Sequence, residues 1–184
     1  STSRDFRQGM TQATGKDFDM ALNGAGFFQI DMPDGTIAYT RDGTFNPDPT
    51  GQLVNAAGYP LSGGITVPPD TAKMSSSKQG LVEFFDKTGA KLGGANMTLA
   101  TFINPGGLEP VGQNLFRESV ASGNPQTGAP DANGIGQVMQ GYLEASNVNV
   151  VEELVMMIQT QRAYEMNSKA ISTSDQMLAK LNQI

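Results

Sequence analysis

Cysteine, histidine and tryptophan are missing altogether from the 184 residues. Without cysteine there is no disulfide staple, no thiolate metal ligand and no thiol nucleophile, and redox usage says nothing about compartment. Without histidine the commonest general base and a principal zinc ligand are also gone, leaving carboxylates, lysine, tyrosine, serine and threonine for any catalysis. Positive charge is scarce as well: 12 Lys and Arg stand against 18 Asp and Glu, a formal net charge of −6 at pH 7. No basic run supplies the clustered cations that tracking a nucleic-acid backbone or an anionic lipid surface requires. No stretch approaches the roughly 20 apolar residues of a membrane span, and Ser1 to Met10 lacks the apolar core of a secretory signal.

The chain is instead rich in turn formers, with 22 Gly and 10 Pro, and its 38% hydrophobic content suffices for one medium domain or a small domain with an appendage. From Asp17 the pattern alternates, Phe18, Met20 and Leu22 against Asp17 and Asp19, as a half-buried strand does. "FFQIDM", "PDG" and "TIAYT" then read as a hairpin over 27–40. Further turns fall at 41–43, 47–51, 56–60, 86–89 and 104–107, between short runs such as "LVEFF" and "MTLATFI". Such spacing predicts an antiparallel sheet or small barrel, not βαβ units. The expected organisation is an extended lead-in over 1–16, an antiparallel β domain over 17–121, a Gly/Pro/Asn-rich linker and approach over 122–148, and a C-terminal helix over 149–184. The predicted fold class is therefore mainly β, ending in one long α-helix.

Asn149 is placed to cap that helix, with Glu152 three positions on approximating a capping box. Arg162, Glu165 and Lys169 have spacings that allow surface ion pairs. Met156 and Met157, Ala163 and Tyr164, Ala170 and Ile171, and Met177 and Leu178 are apolar pairs that recur every seventh residue. A straight helix drifts about 20° per heptad, so a stripe held in that register implies supercoiling against a neighbour. The expected seam comprises Val150, Leu154, Met157, Tyr164, Ile171, Leu178 and Leu181. Between the pairs lie Thr160, Gln161, Asn167, Ser168, Ser174 and Asp175, too polar for a leucine zipper but suited to a helix among several neighbours that offer hydrogen bonds. The ordinary alternative is a helix lying across its own sheet as core. The glycine-rich break at 122–136 favours partners in other chains.

Several chemical motifs fail. "GMTQATGKD" has five residues between its glycines, not the four of a phosphate loop, and Asp17 where Ser or Thr should hold magnesium. "GAGFFQ" lacks the third glycine of a dinucleotide fingerprint. Glu152 and Glu153 are neighbours on a helix, about 100° apart, and suit the helix dipole better than paired catalysis. "NMT" at 96–98 matches a glycosylation sequon, a pattern short enough to arise by chance. Asp31, Asp34 and Asp42 are the nearest clustered acids, and a glycoside-cleaving β protein would use such residues. Arg41 and Asp42 in "TRDG" read as turn structure, with an intersubunit contact as the alternative.

The stretch "GYLEASNVNVVEELVMMIQTQRAYEMNSKAISTSDQMLAKL" resembles the C-terminal segment of the bacterial flagellar rod and hook family. "TGKDFDMALNGAGFFQI" with "YTRDGTFNPDPTGQLVNAAGYP" is similar to the start of that family's β domain, and "LATFINPGGLEPVGQNLF" to later strands of its distal-rod branch. The proximal-rod and hook branches stand next. The resemblance implies a structural axial protein without cofactor, metal or small-molecule substrate. In that family an inner tube of paired N- and C-terminal helices carries an outer β layer, and copies stack helically into a hollow, torque-carrying shaft. Implied partners are other copies of itself, neighbouring proximal-rod and hook subunits, and the surrounding basal-body rings, with no nucleic acid. The implied location is the rod crossing the periplasm, reached by the flagellar type III pathway without a cleaved signal peptide. The family's N-terminal helix has no counterpart before Ser1, so the sequence is expected to be a fragment of such a subunit.

Overall fold

The computed structural model describes Phe6, residues 8–146 and residues 150–181, with the side chains of the terminal helix described over 154–173. The chain divides into two compact units after Ser146. The first holds fifteen strands: β1 (Thr11–Ala13), β2 (Met20–Asn23), β3 (Phe27–Asp31), β4 (Ile37–Thr40), β5 (Phe45–Pro47), β6 (Leu53–Asn55), β7 (Lys73–Ser76), β8 (Leu81–Phe85), β9 (Lys91–Asn96), β10 (Leu99–Thr101), β11 (Glu109–Gly112), β12 (Leu115–Arg117), β13 (Gln126–Gly128), β14 (Gln137–Gln140) and β15 (Tyr142–Glu144). The second is a single helix, α1 (Val150–Leu181). Every strand pair described is antiparallel.

Local turn chemistry builds most of the first unit. Five hairpin loops, Met32–Thr36, Asp48–Gln52, Asn55–Tyr59, Ser77–Leu81 and Asp86–Ala90, share one backbone pattern. The first residue donates its N–H to the carbonyl of the fifth, and the fourth, always glycine, donates back to the carbonyl of the first. Those glycines, Gly35, Gly51, Gly58, Gly80 and Gly89, have φ between 79° and 87°, the left-handed position of a three-residue loop with a bulge. Asp48, Asn55 and Asp86 reinforce it, each side-chain Oδ1 accepting from backbone N–H groups two and four residues on. The turns expected at 33–35, 47–51, 56–60 and 86–89 fall in these loops.

The central sheet has six strands in the order β11-β12-β4-β3-β10-β13. Alternation along its strands feeds two cores. Phe28, Ile30, Ala38 and Leu99 face a large cluster with Met20, Phe45, Leu53, Met74 and Phe84. Phe27, Tyr39 and Ala100 face a smaller one with Phe102 and Leu108. The second is largely aromatic, with Tyr39 and Phe102 meeting edge to face at 4.8 Å and Phe6 at 5.0 Å from Phe116. Gln29, buried on that polar-reading position, donates to the Thr98 hydroxyl at 3.1 Å.

Three expectations differ from the structure. The described residues of the lead-in, Phe6 and 8–16, are part of the β unit: Phe6 packs into the aromatic core and β1 pairs with β15, Thr11 opposite Glu144. The segment expected as a linker over 122–148 is, over its described residues 122–146, built of strands, because β13 pairs with β10, β14 with β2 and β15 with β1. Its glycines and prolines punctuate strands of three and four residues whose partners lie far away in sequence, so no local alternation marks them. The strand at 17–22 is not half-buried, since Asp19 and Ala21 are as enclosed as Met20 and Leu22.

Gly51 and Gly58 separate two costs of a side chain. A Cβ at Gly58 would meet nothing within 4 Å, whereas one at Gly51 would stand 2.6 Å from the Val67 carbonyl oxygen. Gly58→Ala should lose about 1–2 kcal/mol from the left-handed backbone alone, and Gly51→Ala distinctly more, read from urea unfolding midpoints. The aspartates of these loops also set an acid limit. Thr50 and Thr88 hydroxyls, and then backbone N–H groups, hold the Asp48 and Asp86 carboxyls below the ordinary carboxylate value, and Thr36 does the same for Asp34. A depressed folded-state pKa gives stability that is complete above the unfolded value, about 3.9, and lost as pH falls through the folded one. Urea midpoints should therefore hold down to about pH 5 and fall below pH 4, with a shallower fall in an Asp48→Asn, Asp86→Asn double variant.

Candidate functional site

At 1.5 Å per residue the 32 residues of α1 extend about 48 Å. Every side chain described on it, from 154 to 173, is exposed. The seam residues Leu154, Met157, Tyr164 and Ile171 are all at least half uncovered. Asn149 lies outside the described residues, as do the side chains of Val150, Glu152, Leu178 and Leu181.

The heptad reading leaves out three residues, Val155, Ile158 and Met166, which are also large, apolar and exposed, as is Met156 of the first pair. At about 100° per residue, Leu154 to Ile158 sweep the whole circumference of the helix. Residues 154–158 are thus an apolar collar, not one face, and a helix that is apolar all round is a buried one. Towards Ile171 the apolar positions narrow to a stripe through Ala163, Tyr164 and Ala170.

Hydroxyls on the helix are spent partly on the helix itself. Thr160 Oγ1, between the apolar pairs, donates to the Met156 carbonyl at 2.9 Å, and Thr173 Oγ1 donates to that of Lys169 at 2.8 Å. Among the described residues, Arg162, Glu165 and Lys169 form no ion pair, despite their spacing.

The acids singled out for glycoside chemistry serve their own turns. Asp34 accepts from Thr36 N and from Arg117 Nη2 at 3.1 Å. Asp42 accepts from Thr44 N and, at 3.3 Å, from Asn114 Nδ2. Asp31 ends β3, exposed and opposite Ile37. Asp19 is buried with Oδ2 unpartnered and has no second carboxylate beside it in any described hydrogen bond. Among the described residues no three acids are grouped so as to hold a metal ion. Nor is any described helix long and apolar enough to cross a membrane.

Arg41 does far more than close a turn. Its Nε donates to Glu144 Oε2 at 2.7 Å, its Nη1 to the carbonyls of Gly24 and Gly26 at 2.9 Å, and its Nη2 to that of Leu22 at 3.3 Å. The two side chains are only 14% and 11% exposed. Breaking a largely buried pair by removing one partner costs about 3–5 kcal/mol. The exposed pairs Lys91 with Glu83 and Arg117 with Asp34 fall in the class worth about 0–1 kcal/mol. No local spacing connects residues 41 and 144, and so nothing in the sequence points to this pair.

Two family segments match the chain. Residues 139–184 match the flagellar basal body rod FlgEFG protein C-terminal segment, and residues 21–84 match the flagellar hook protein FlgE/F/G D1 domain. The chain is 50% identical to the flagellar basal-body rod protein FlgG of Buchnera aphidicola subsp. Schizaphis graminum, over 100% of its own length and 71% of that protein's. With Caulobacter vibrioides the identity is 43% to FlgG, over 100% and 71%, and 35% to the flagellar basal-body rod protein FlgF, over 95% and 68%. Within one organism the match therefore favours FlgG, and one segment covers α1 with β15 while the other covers β2 to β8. By these identities and this coverage, the chain belongs to the flagellar basal-body rod protein family.

Proposed function

We propose that the chain is a structural subunit of the flagellar distal rod, stacking helically with other copies into a hollow shaft that carries torque and lets exported subunits through. The observation that carries this reading is the apolar collar at 154–158, exposed on every side of α1 in a chain of this family. A collar of five large apolar residues is costly in water and needs several neighbours at once, which stacked helices of other copies provide. The β unit has no comparable need, because its strands already enclose two cores. It is accordingly the outer layer, and Met157, Tyr164 and Ile171 belong to the inner contacts. Neighbouring axial proteins of the proximal rod and hook meet the two ends of the stack. The rod lies across the periplasm, reached by flagellar export without a cleaved signal. A subunit of this kind has no catalytic step, and Asp34 and Asp42 are engaged in their own turns.

Ile171→Asp should abolish incorporation into isolated basal bodies, because a charge would be enclosed at a helix contact without a partner. β-Sheet circular dichroism of the purified variant should stay unchanged; a loss there would assign α1 to the core of the β unit and sink the reading. Thr160→Val should incorporate as well as the parent, since the hydroxyl it removes is already bonded within the helix. Failure of that variant would mean the seam needs a polar contact at 160.

A further inference from the structure

The point where the β unit holds the chain that leads into α1 is narrow. β15 has three residues and pairs with β1 in a ribbon of two strands. A two-stranded ribbon this short is marginal by itself. Four further backbone hydrogen bonds flank it among the described residues: Ala145 N donates to the Met10 carbonyl at 2.8 Å, Gly141 N to that of Asp19 at 2.7 Å, and Thr14 N and Gly15 N to that of Gly141 at 2.8 and 3.3 Å.

Glu144 changes that situation. One carboxylate oxygen, Oε1, accepts from Gly9 N at 2.8 Å on the incoming strand side of the ribbon, and the other takes Arg41 Nε at 2.7 Å. Arg41 directly follows β4 of the six-stranded sheet, and its remaining donors hold the carbonyls of Leu22 in β2 and of Gly24 and Gly26 in the β2–β3 turn. Gly24 N in turn donates to Gln8 Oε1 at 3.0 Å. One ion pair thus joins the ribbon, the turn and the central sheet. It also joins the two family segments, with Arg41 in 21–84 and Glu144 in 139–184.

We propose that Arg41 and Glu144 are positioning residues of a clamp, through which rotation carried by α1 is passed to the β unit. This rests on the rod-subunit reading for the torque and on the geometry alone for the clamp. A guanidinium fixed by four acceptors in a planar fork resists twisting in a way that one ladder of three residue pairs does not. With the clamp released, the ribbon should shear or open while the two cores stay intact, since neither member of the pair belongs to them.

Glu144→Gln tests it in the full chain, expressed in place of the parent in motile cells. Glu83→Gln, which breaks the exposed pair with Lys91, is the control. Hydrogen exchange on purified Glu144→Gln should be at least tenfold faster at Gly9–Ala13 and Tyr142–Ala145, and unchanged in β3, β4 and β10. Basal bodies should contain rods of normal length, but swimming should fail at raised medium viscosity while persisting in dilute medium, and Glu83→Gln should match the parent throughout. Arg41→Lys, which keeps the charge but cannot reach three carbonyls and Glu144 together, should show a smaller change in the same segments, and it serves as the variant to read if Glu144→Gln loses its β-sheet signal. Unchanged exchange in the ribbon would overturn the clamp. Faster exchange with undiminished swimming under load would overturn its role in torque, and a folded variant missing from basal bodies would assign Glu144 to an assembly contact instead. Absence of the parent chain itself from basal bodies would overturn the rod reading, while the exchange result would still decide the clamp.

Discussion

Everything from Thr11 to Glu144 depends on the last three strands returning to the first ones. Strands of three to six residues have little hold on their neighbours individually. β13 closes the central sheet against β10, β14 is the ladder partner of β2, and β15 is that of β1. These pairings join residues more than a hundred positions apart in two of the three cases, so the loop-closure entropy is met only when most of the chain is in place. The buried pair of Arg41 and Glu144 is the strongest single fixing of that return. It connects the final strand to the sheet assembled earliest in the sequence, and the charge of each partner is compensated only when the other arrives.

This dependence explains what could be read from the residues and what could not. The hairpins at 27–40, 45–55 and 81–96 announce themselves because their glycines and aspartates act within five residues of each other, a local chemistry that needs no knowledge of the fold. Gln126–Gly128 has no apolar alternation at all, and its strand exists because β10 offers an edge. The same residues in isolation are a fair description of a linker. Asp19 and Ala21 misled in another way: alternation reports one buried face, but β2 is enclosed on both. Arg41 was read from its neighbours in "TRDG", whereas its function is set by a carboxylate 103 positions on.

The heptad register singled out Met157, Tyr164 and Ile171, but it discards residues outside the stripe and so passed over Val155, Ile158 and Met166. An apolar run that fills every direction carries no periodic signal, and its meaning comes from its being exposed. Thr160 shows a further limit: a hydroxyl in a seam suggests a hydrogen bond to a partner, yet it donates to the carbonyl four residues back.

The two units therefore divide the physical work. On the β unit the most exposed large apolar residues, Met10, Ile103 and Val120, stand singly at separate turns or strand ends, as on any soluble surface. On α1, eight such residues crowd into the eighteen positions from Leu154 to Ile171. Area removed from water contributes about 25 cal/mol per Å2, so α1 carries its exposed apolar area at high density, whereas the β unit has buried most of its own in two cores. A chain divided in this way can complete its β unit independently of the helix, and the last strand of that unit ends at Glu144.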